Sequence, residues 1–251
     1  MDLSALVAIG LLLVRIGALV MVAPVFGGTY APPTLKIGLS LLIAVTLLPV
    51  VPFPGALSLS VLAAVVAREV CIGVALGLAV RIVTGAAELG GHLAGFQLGL
   101  GYAATIDPAS GVRSNAVTIA YSNLALLLFL GINGHHAMLR ALAASYSRLP
   151  VGLGGVDGSL AGVITSTLGT IFLVGVQLAM PVIVVMLLIE LALGLLERAA
   201  VGVDIWVLAP PTRVLLGLTA LAAGIAAVPE AVSRLLGRAV ELAMSLALGV
   251  R

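Results

Sequence analysis

The sequence predicts an all-α membrane protein: a single integral-membrane domain over residues 1–251, built of about six long, kinked hydrophobic helices arranged as helical hairpins. Three observations carry this. Of 251 residues, 62% are hydrophobic and 9% charged, and the mean hydropathy is +1.30, whereas about a quarter of a soluble domain is charged. A water-soluble fold could not hide so apolar a chain, because surface does not shrink fast enough with size. Second, no Asp, Glu, Lys or Arg occurs over residues 37–67, 114–139 or 158–189, and each run exceeds the roughly 20 residues that cross a hydrocarbon core. Third, these runs do not alternate apolar and polar residues as barrel strands do. Helices, which satisfy their own backbone in lipid, are therefore expected.

The first helix is expected over 3–23. Pro24 ends it, and Gly27, Gly28, Pro32 and Pro33 form a stiff loop. The N-terminus has no basic region and Arg15 interrupts the apolar stretch, so it reads as a membrane helix and not as a cleaved signal peptide. The second helix spans 35–48, stopped by Pro49, Pro52 and Pro54. The third spans 57–97, roughly 60 Å at the α-helical rise and about twice the hydrocarbon thickness. It must bend near Gly85 or Gly90 and Gly91, or leave the lipid for much of its length. A loop over 99–115 precedes the fourth helix, 117–146. Pro150 with Gly152, Gly154, Gly155 and Gly158 makes a linker. The fifth helix spans 160–200, with a kink at Pro181. A short polar turn holds Asp204, Trp206, Pro210 and Pro211, and the sixth helix follows over 212–228. Beyond Pro229, the spacing of Glu230, Arg234, Arg238 and Glu241 suits an amphipathic helix. The chain shows no internal repeat and no low-complexity segment.

Several function classes drop out. Net charge is +2, with no basic block to bind nucleic acid. The single cysteine, Cys71, forms no disulfide framework and reads as a small buried hydrophobe. No G-x-x-x-x-G-K-[ST] phosphate loop occurs, and no cofactor or metal is implied. Ser110 with His135 or His136 matches no protease signature, so no catalytic residues are assigned and the chain reads as a non-enzyme. A secondary transporter would show repeated halves. Lys36, Arg113, Arg148, Arg198 and Arg213 spread over most connections and leave the orientation undetermined by the positive-inside rule.

Polar residues inside the apolar helices carry the next signal, since at membrane depth they face protein or water. These are Arg15, Arg68, Glu69, Arg81, Glu88, His92 and Glu190. On a helical wheel Gly73, Gly77, Arg81, Glu88 and His92 share about a third of the circumference. Gly73 and Gly77, and Gly91, Gly95 and Gly99, have the four-residue spacing that lets helix backbones approach closely. This face either packs the chain's own helices together or meets other subunits, and overlong helices favour the second. With Asn133, His135, Glu190 and Arg198, these positions and Arg68 and Glu69 are the expected buried-polar or subunit-packing set. His135 and His136 fall inside the expected fourth helix. Adjacent histidines point in different directions there, which favours structural hydrogen bonding over chelation.

The stretch holding Gln97, Gly99, Gly101, Tyr102, Asp107, Pro108 and Gly111 resembles the Q-x-G-x-G-[FY]-A…D-P-x-x-G segment of the FliR family of flagellar type III export-gate proteins. Further matches follow in order: Arg15 to Gly17, Ala23 to Gly27, Phe129 to His136, Ser145 and Tyr146 leading to Pro150 to Gly152, Glu190, and Gly194 to Arg198. After Arg198 the family commonly has Pro-Gln and then Asn-Val-Phe. Here Val201, Gly202 and Asp204, Ile205, Trp206 stand instead. The injectisome family SctT is homologous; the Asn-Gly-His-His run looks more like the flagellar branch. The resemblance implies a multi-pass protein of the bacterial inner membrane and flagellar basal body. It implies assembly with FliP-like and FliQ-like subunits into a hetero-oligomeric export gate, with FlhB-like and FlhA-like components around it and unfolded flagellar proteins passing through. It also implies a FliP-like part over 1–158 and a FliQ-like hairpin with amphipathic tail over 159–251. In that frame the loop 99–113 is expected to plug the channel. Its glycines give backbone freedom, Pro108 a fixed bend, Tyr102 and Ile106 bulk, and Asp107 a turn.

Overall fold

Proline and glycine set many of the helix ends, though not all of those expected. The structure is a computed structural model that describes residues 3–27, 31–49, 51, 59–100, 115–152, 159–199 and 205–248. Among these residues there are seven helices and no strand: α1 Leu3–Val22, α2 Pro33–Leu47, α3 Leu59–Gln97, α4 Ala116–Gly131, α5 Gly134–Arg148, α6 Ser159–Ala199 and α7 Ile205–Leu248. Pro24 follows the end of α1. α2 begins two residues earlier than expected, because Pro33 occupies the first helical position, where its missing N–H is not needed.

The expected fourth helix is two helices. Asn133 adopts a left-handed backbone, φ 58°, and the arms α4 and α5 are bent by 66°. The sequence carries a local sign of it: the apolar run of α4 gives way to Asn133, Gly134, His135 and His136, and an Asn-Gly pair marks a turn. The cause is local: asparagine tolerates the left-handed region better than most residues. Gly134 is also required, since a Cβ there would overlap the Phe129 ring. His135 and His136 accordingly stand in the first turn of α5 and not within a long helix.

The expected turn around Trp206, Pro210 and Pro211, and the stop at Pro229, are also corrected. α7 runs through all of them for 44 residues. Each proline forfeits one backbone bond, whereas ending a helix leaves about four carbonyls and four N–H groups without partners, which lipid does not tolerate. The three rings lie on exposed positions, while nearby Val228, Ala231 and Val232 are buried. α6 likewise continues through Pro181. α3 is uninterrupted at Gly85, Gly90 and Gly91. Those glycines meet neighbouring helices: Gly85 lies against Ile171, and Gly90 against Leu178. Cys71, expected to be buried, is exposed on α3, because the buried face of that turn is taken by Ile72, Ala75 and Leu76.

By length and composition three helices can cross a membrane, Val61–Gln97, Ile164–Ala199 and Ala209–Leu242, or four if the bent α4–α5 pair forms one span. α1 and α2 are apolar but shorter. The chain divides into two compact units. Unit one holds residues 1–83, 129–169 and 234–251. Its core includes Leu12, Ile16 and Leu19 of α1, Leu76 and Ile82 of α3, and Leu142 and Tyr146 of α5. Unit two holds residues 84–128 and 170–233, with Ala94, Tyr121, Leu178, Val182 and Met186 in its core.

Candidate functional site

The expected plug, 99–113, is described only at its root. Gly101, Tyr102, Ile106, Asp107, Pro108 and Gly111 lie outside the described residues. The root belongs to unit two and is built from the end of α3 and the start of α4. α3 ends in a Schellman cap. Gly99 takes a positive φ of 77°, its N–H donates to the Phe96 carbonyl at 3.0 Å, and the Leu100 N–H donates to the Gly95 carbonyl at 3.0 Å. Gln97, half-buried, is the last helical residue. Leu98 is buried and fills a notch at Gly217 of α7, where a Cβ would overlap it.

The far end of the segment returns to the same place. Asn115 is buried and caps α4: its Oδ1 accepts from the Thr118 backbone N–H at 2.8 Å and from the Thr118 hydroxyl at 3.0 Å. Its amide lies over Gly95, where any Cβ would overlap it. Gly91, one turn earlier on α3, meets the Thr118 backbone and Tyr121 in the same way, at 2.8 and 3.0 Å for a Cβ. Asn115 escaped the sequence reading. Its signal was an N-cap residue directly before an apolar run.

Unit one contains a second constellation, a charge cluster between α1, α3 and α5. Arg15 and Glu69 are both fully buried, and the Arg15 Nε donates to Glu69 Oε2 at 2.5 Å. Arg15 Nη1 donates to the Ser145 hydroxyl at 3.1 Å and Nη2 to the Leu149 carbonyl at 2.9 Å. Its guanidinium also lies 4.3 Å from the Tyr146 ring centroid, a cation–π contact. Every face of this arginine is thus occupied, the condition under which a buried charge is tolerated. Arg68 is buried too, with one long bond of 3.5 Å to the Pro150 carbonyl. Arg68 Nε, Arg68 Nη1 and Glu69 Oε1 have no hydrogen-bond partner among the described residues. Gly73, one turn beyond Glu69, makes the pair possible: a Cβ there would overlap the Arg15 carbonyl, so α1 and α3 approach backbone to backbone.

A family model described as "Bacterial export proteins, family 1" matches residues 6–239. The chain belongs to this family. It is similar to "Flagellar biosynthetic protein FliR" of Escherichia coli (strain K12), 33% identical over 212 residues, covering 84% of this chain and 81% of that protein. The protein of that name from Pectobacterium carotovorum subsp. carotovorum is 33% identical over 230 residues, 91% of this chain and 88% of its own. The Bacillus subtilis (strain 168) protein is 27% identical over 210 residues, 81% and 80%. The resemblance read from the residue pattern is therefore to the family the chain belongs to.

The other expected positions of this FliR-family chain separate. Gly73 and Gly77 face α1 of the same chain, Gly77 meeting Val22 at 2.8 Å for a Cβ. Arg81 is half-buried, and Glu88 and His92 are exposed, so the stripe shares a face but not an environment. Asn133 Oδ1 lies 3.2 Å from His136 Nδ1, and the ring centroids of the two histidines are 4.2 Å apart with their planes tilted by 37°. Among the described residues no group of three or more His, Cys, Asp or Glu could hold a metal ion. Glu190 pairs with Arg213 at 3.7 Å, both about half-exposed. Arg198 is exposed in the last turn of α6, where a cation complements the helix dipole.

Proposed function

We propose that this chain is the subunit that closes the channel of the flagellar type III export gate, with the segment 99–113 as its plug. That it is a membrane-protein subunit of the flagellar export apparatus follows from the family match over residues 6–239, the observation that carries the reading, and from its apolar helices. The named relatives are flagellar, which does not favour an injectisome role. The finer statements are proposals. The gate sits in the bacterial inner membrane, and this chain assembles there with FliP-like and FliQ-like subunits, with FlhB-like and FlhA-like components beside it. Residues 1–158 take a FliP-like part and 159–251 a FliQ-like hairpin. The chain acts by shape and position and carries no catalysis.

Exposed apolar side chains support a packed assembly. Leu187, Leu188, Leu191 and Leu195 of α6, and Leu215 and Leu218 of α7, are all exposed in the single chain. The half-exposed Glu190–Arg213 pair lies among them in sequence, and charges at membrane depth face protein or water. Two experiments test the reading. Co-expression with FliP and FliQ proteins should yield this chain in one large mixed complex by native mass measurement; a monomer or homo-oligomer beside folded partners refutes it. Deleting 99–111 should let potassium leak through a correctly assembled gate, and an ion-tight deletion variant refutes the plug.

A further inference from the structure

The charge cluster of unit one is not balanced by its own residues. Among the described residues the buried charges are Arg15, Arg68 and Glu69, two cations against one carboxylate. Glu69 is engaged by Arg15 through Oε2, and Arg15 is further held by Ser145, Leu149 and the Tyr146 ring. Arg68 has a single long bond, 3.5 Å from Nη2 to the Pro150 carbonyl. Its Nε and Nη1 carry three N–H donors between them, are out of contact with solvent and have no acceptor among the described residues. A buried lysine can shed its proton, but a guanidinium does not. An uncompensated charge in a low-dielectric interior is costly, and it is tolerated where a counter-charge meets it. We propose that Arg68 holds a small monovalent anion, a halide such as chloride, as the counter-ion of this cluster.

Enclosure sets the size of the ligand. Arg68 is 4% exposed, so a phosphate, a lipid headgroup or a carboxylate of another chain could reach its N–H groups only by parting the helices. A monatomic anion needs far less room and accepts from several N–H donors at once. Glu69 would repel an anion, but its charge is met by Arg15, whose donors already go to Glu69, Ser145 and Leu149. The ion therefore belongs to Arg68, and with it the cluster holds two charges of each sign. The two arginines then differ in what they depend on. Arg15 is satisfied by protein groups of α3 and α5, whereas Arg68 draws its partner from solution, so the stability of unit one should follow the halide concentration.

The test follows the thermal unfolding midpoint of the full chain in detergent as sodium chloride replaces sodium gluconate at constant ionic strength. The midpoint should climb with chloride and then level off, and bromide should act likewise. Halide at about a hundred times its dissociation constant should shift the folding equilibrium about a hundredfold toward the native state. Arg68→Gln removes the charge and should abolish the response. Arg198→Gln, at an exposed position in the last turn of α6, should keep it in full. A midpoint indifferent to halide overturns the assignment, and so does a response that survives Arg68→Gln. Sulfate acting as well as chloride would rule out an enclosed monatomic site. If Arg68→Gln does not fold, equilibrium dialysis of the unaltered chain against radiolabelled chloride decides: one ion bound per chain is expected, and no binding sinks the proposal.

Discussion

Units one and two use the same device on α3 for different loads. Each has two glycines four residues apart that admit a neighbouring backbone: Gly73 and Gly77 admit α1, and Gly91 and Gly95 admit the start of α4. In unit one the close approach brings Arg15 to Glu69, two charges with no exposure at all. In unit two it seats a neutral amide whose best bonds are to its own helix. Small-residue spacing therefore says that backbones meet but not what the meeting is for. Buried ionic contacts fail badly when one partner is removed, whereas a cap is worth only about 1 kcal/mol.

Removing the Glu69 charge should break the comparison hardest. Glu69→Gln leaves Arg15 buried without a counter-charge and should lower stability by about 3–5 kcal/mol, read from the thermal unfolding midpoint in detergent. A loss near that of an exposed ion pair would mean that Arg15 is balanced by its hydroxyl, carbonyl and ring contacts alone. Gly73→Ala comes next, at about 1–3 kcal/mol, by driving α1 from α3. It should exceed Gly91→Ala, whose Cβ would meet backbone less closely, at 2.8 Å, and would separate no charges; equal losses would show that the charges of unit one add nothing to the cost of parting the helices. The smallest effect has the opposite sign. Gly10→Ala finds nothing within 4 Å in α1 and should gain about 0.5–1 kcal/mol through helix propensity.

Composition made the helical membrane class legible, and the ordered motifs made the family legible. Boundaries set by single residues were less so. The α4–α5 break rests on one left-handed asparagine in a stretch without charge over 114–139, and the absence of charge reports burial or lipid but not φ. The prolines of α7 misled in the other direction: their local propensity ends helices, and the need to keep backbone groups bonded in lipid outweighed it. Arg68 and Glu69 stood out as intramembrane charges, yet the partner of Glu69 lies 54 residues away, beyond any local pattern. Between the end of α3 and the start of α4, the glycine spacing predicted close approach. What approached, the Asn115 amide, could be learned only in three dimensions.

The break at Asn133 also limits how the sequence can drift. Position 133 admits glycine freely and asparagine or aspartate with little strain, while other residues there meet a left-handed backbone costing roughly 1–2 kcal/mol. Position 134 is narrower, since even alanine would meet the Phe129 ring. Gly131, two residues before Asn133, has nothing within 4 Å and is free to become alanine. Three neighbouring small residues that look interchangeable in the sequence thus accept different replacements. A lineage could exchange the first and vary the second within a short set, but could change the third only together with Phe129.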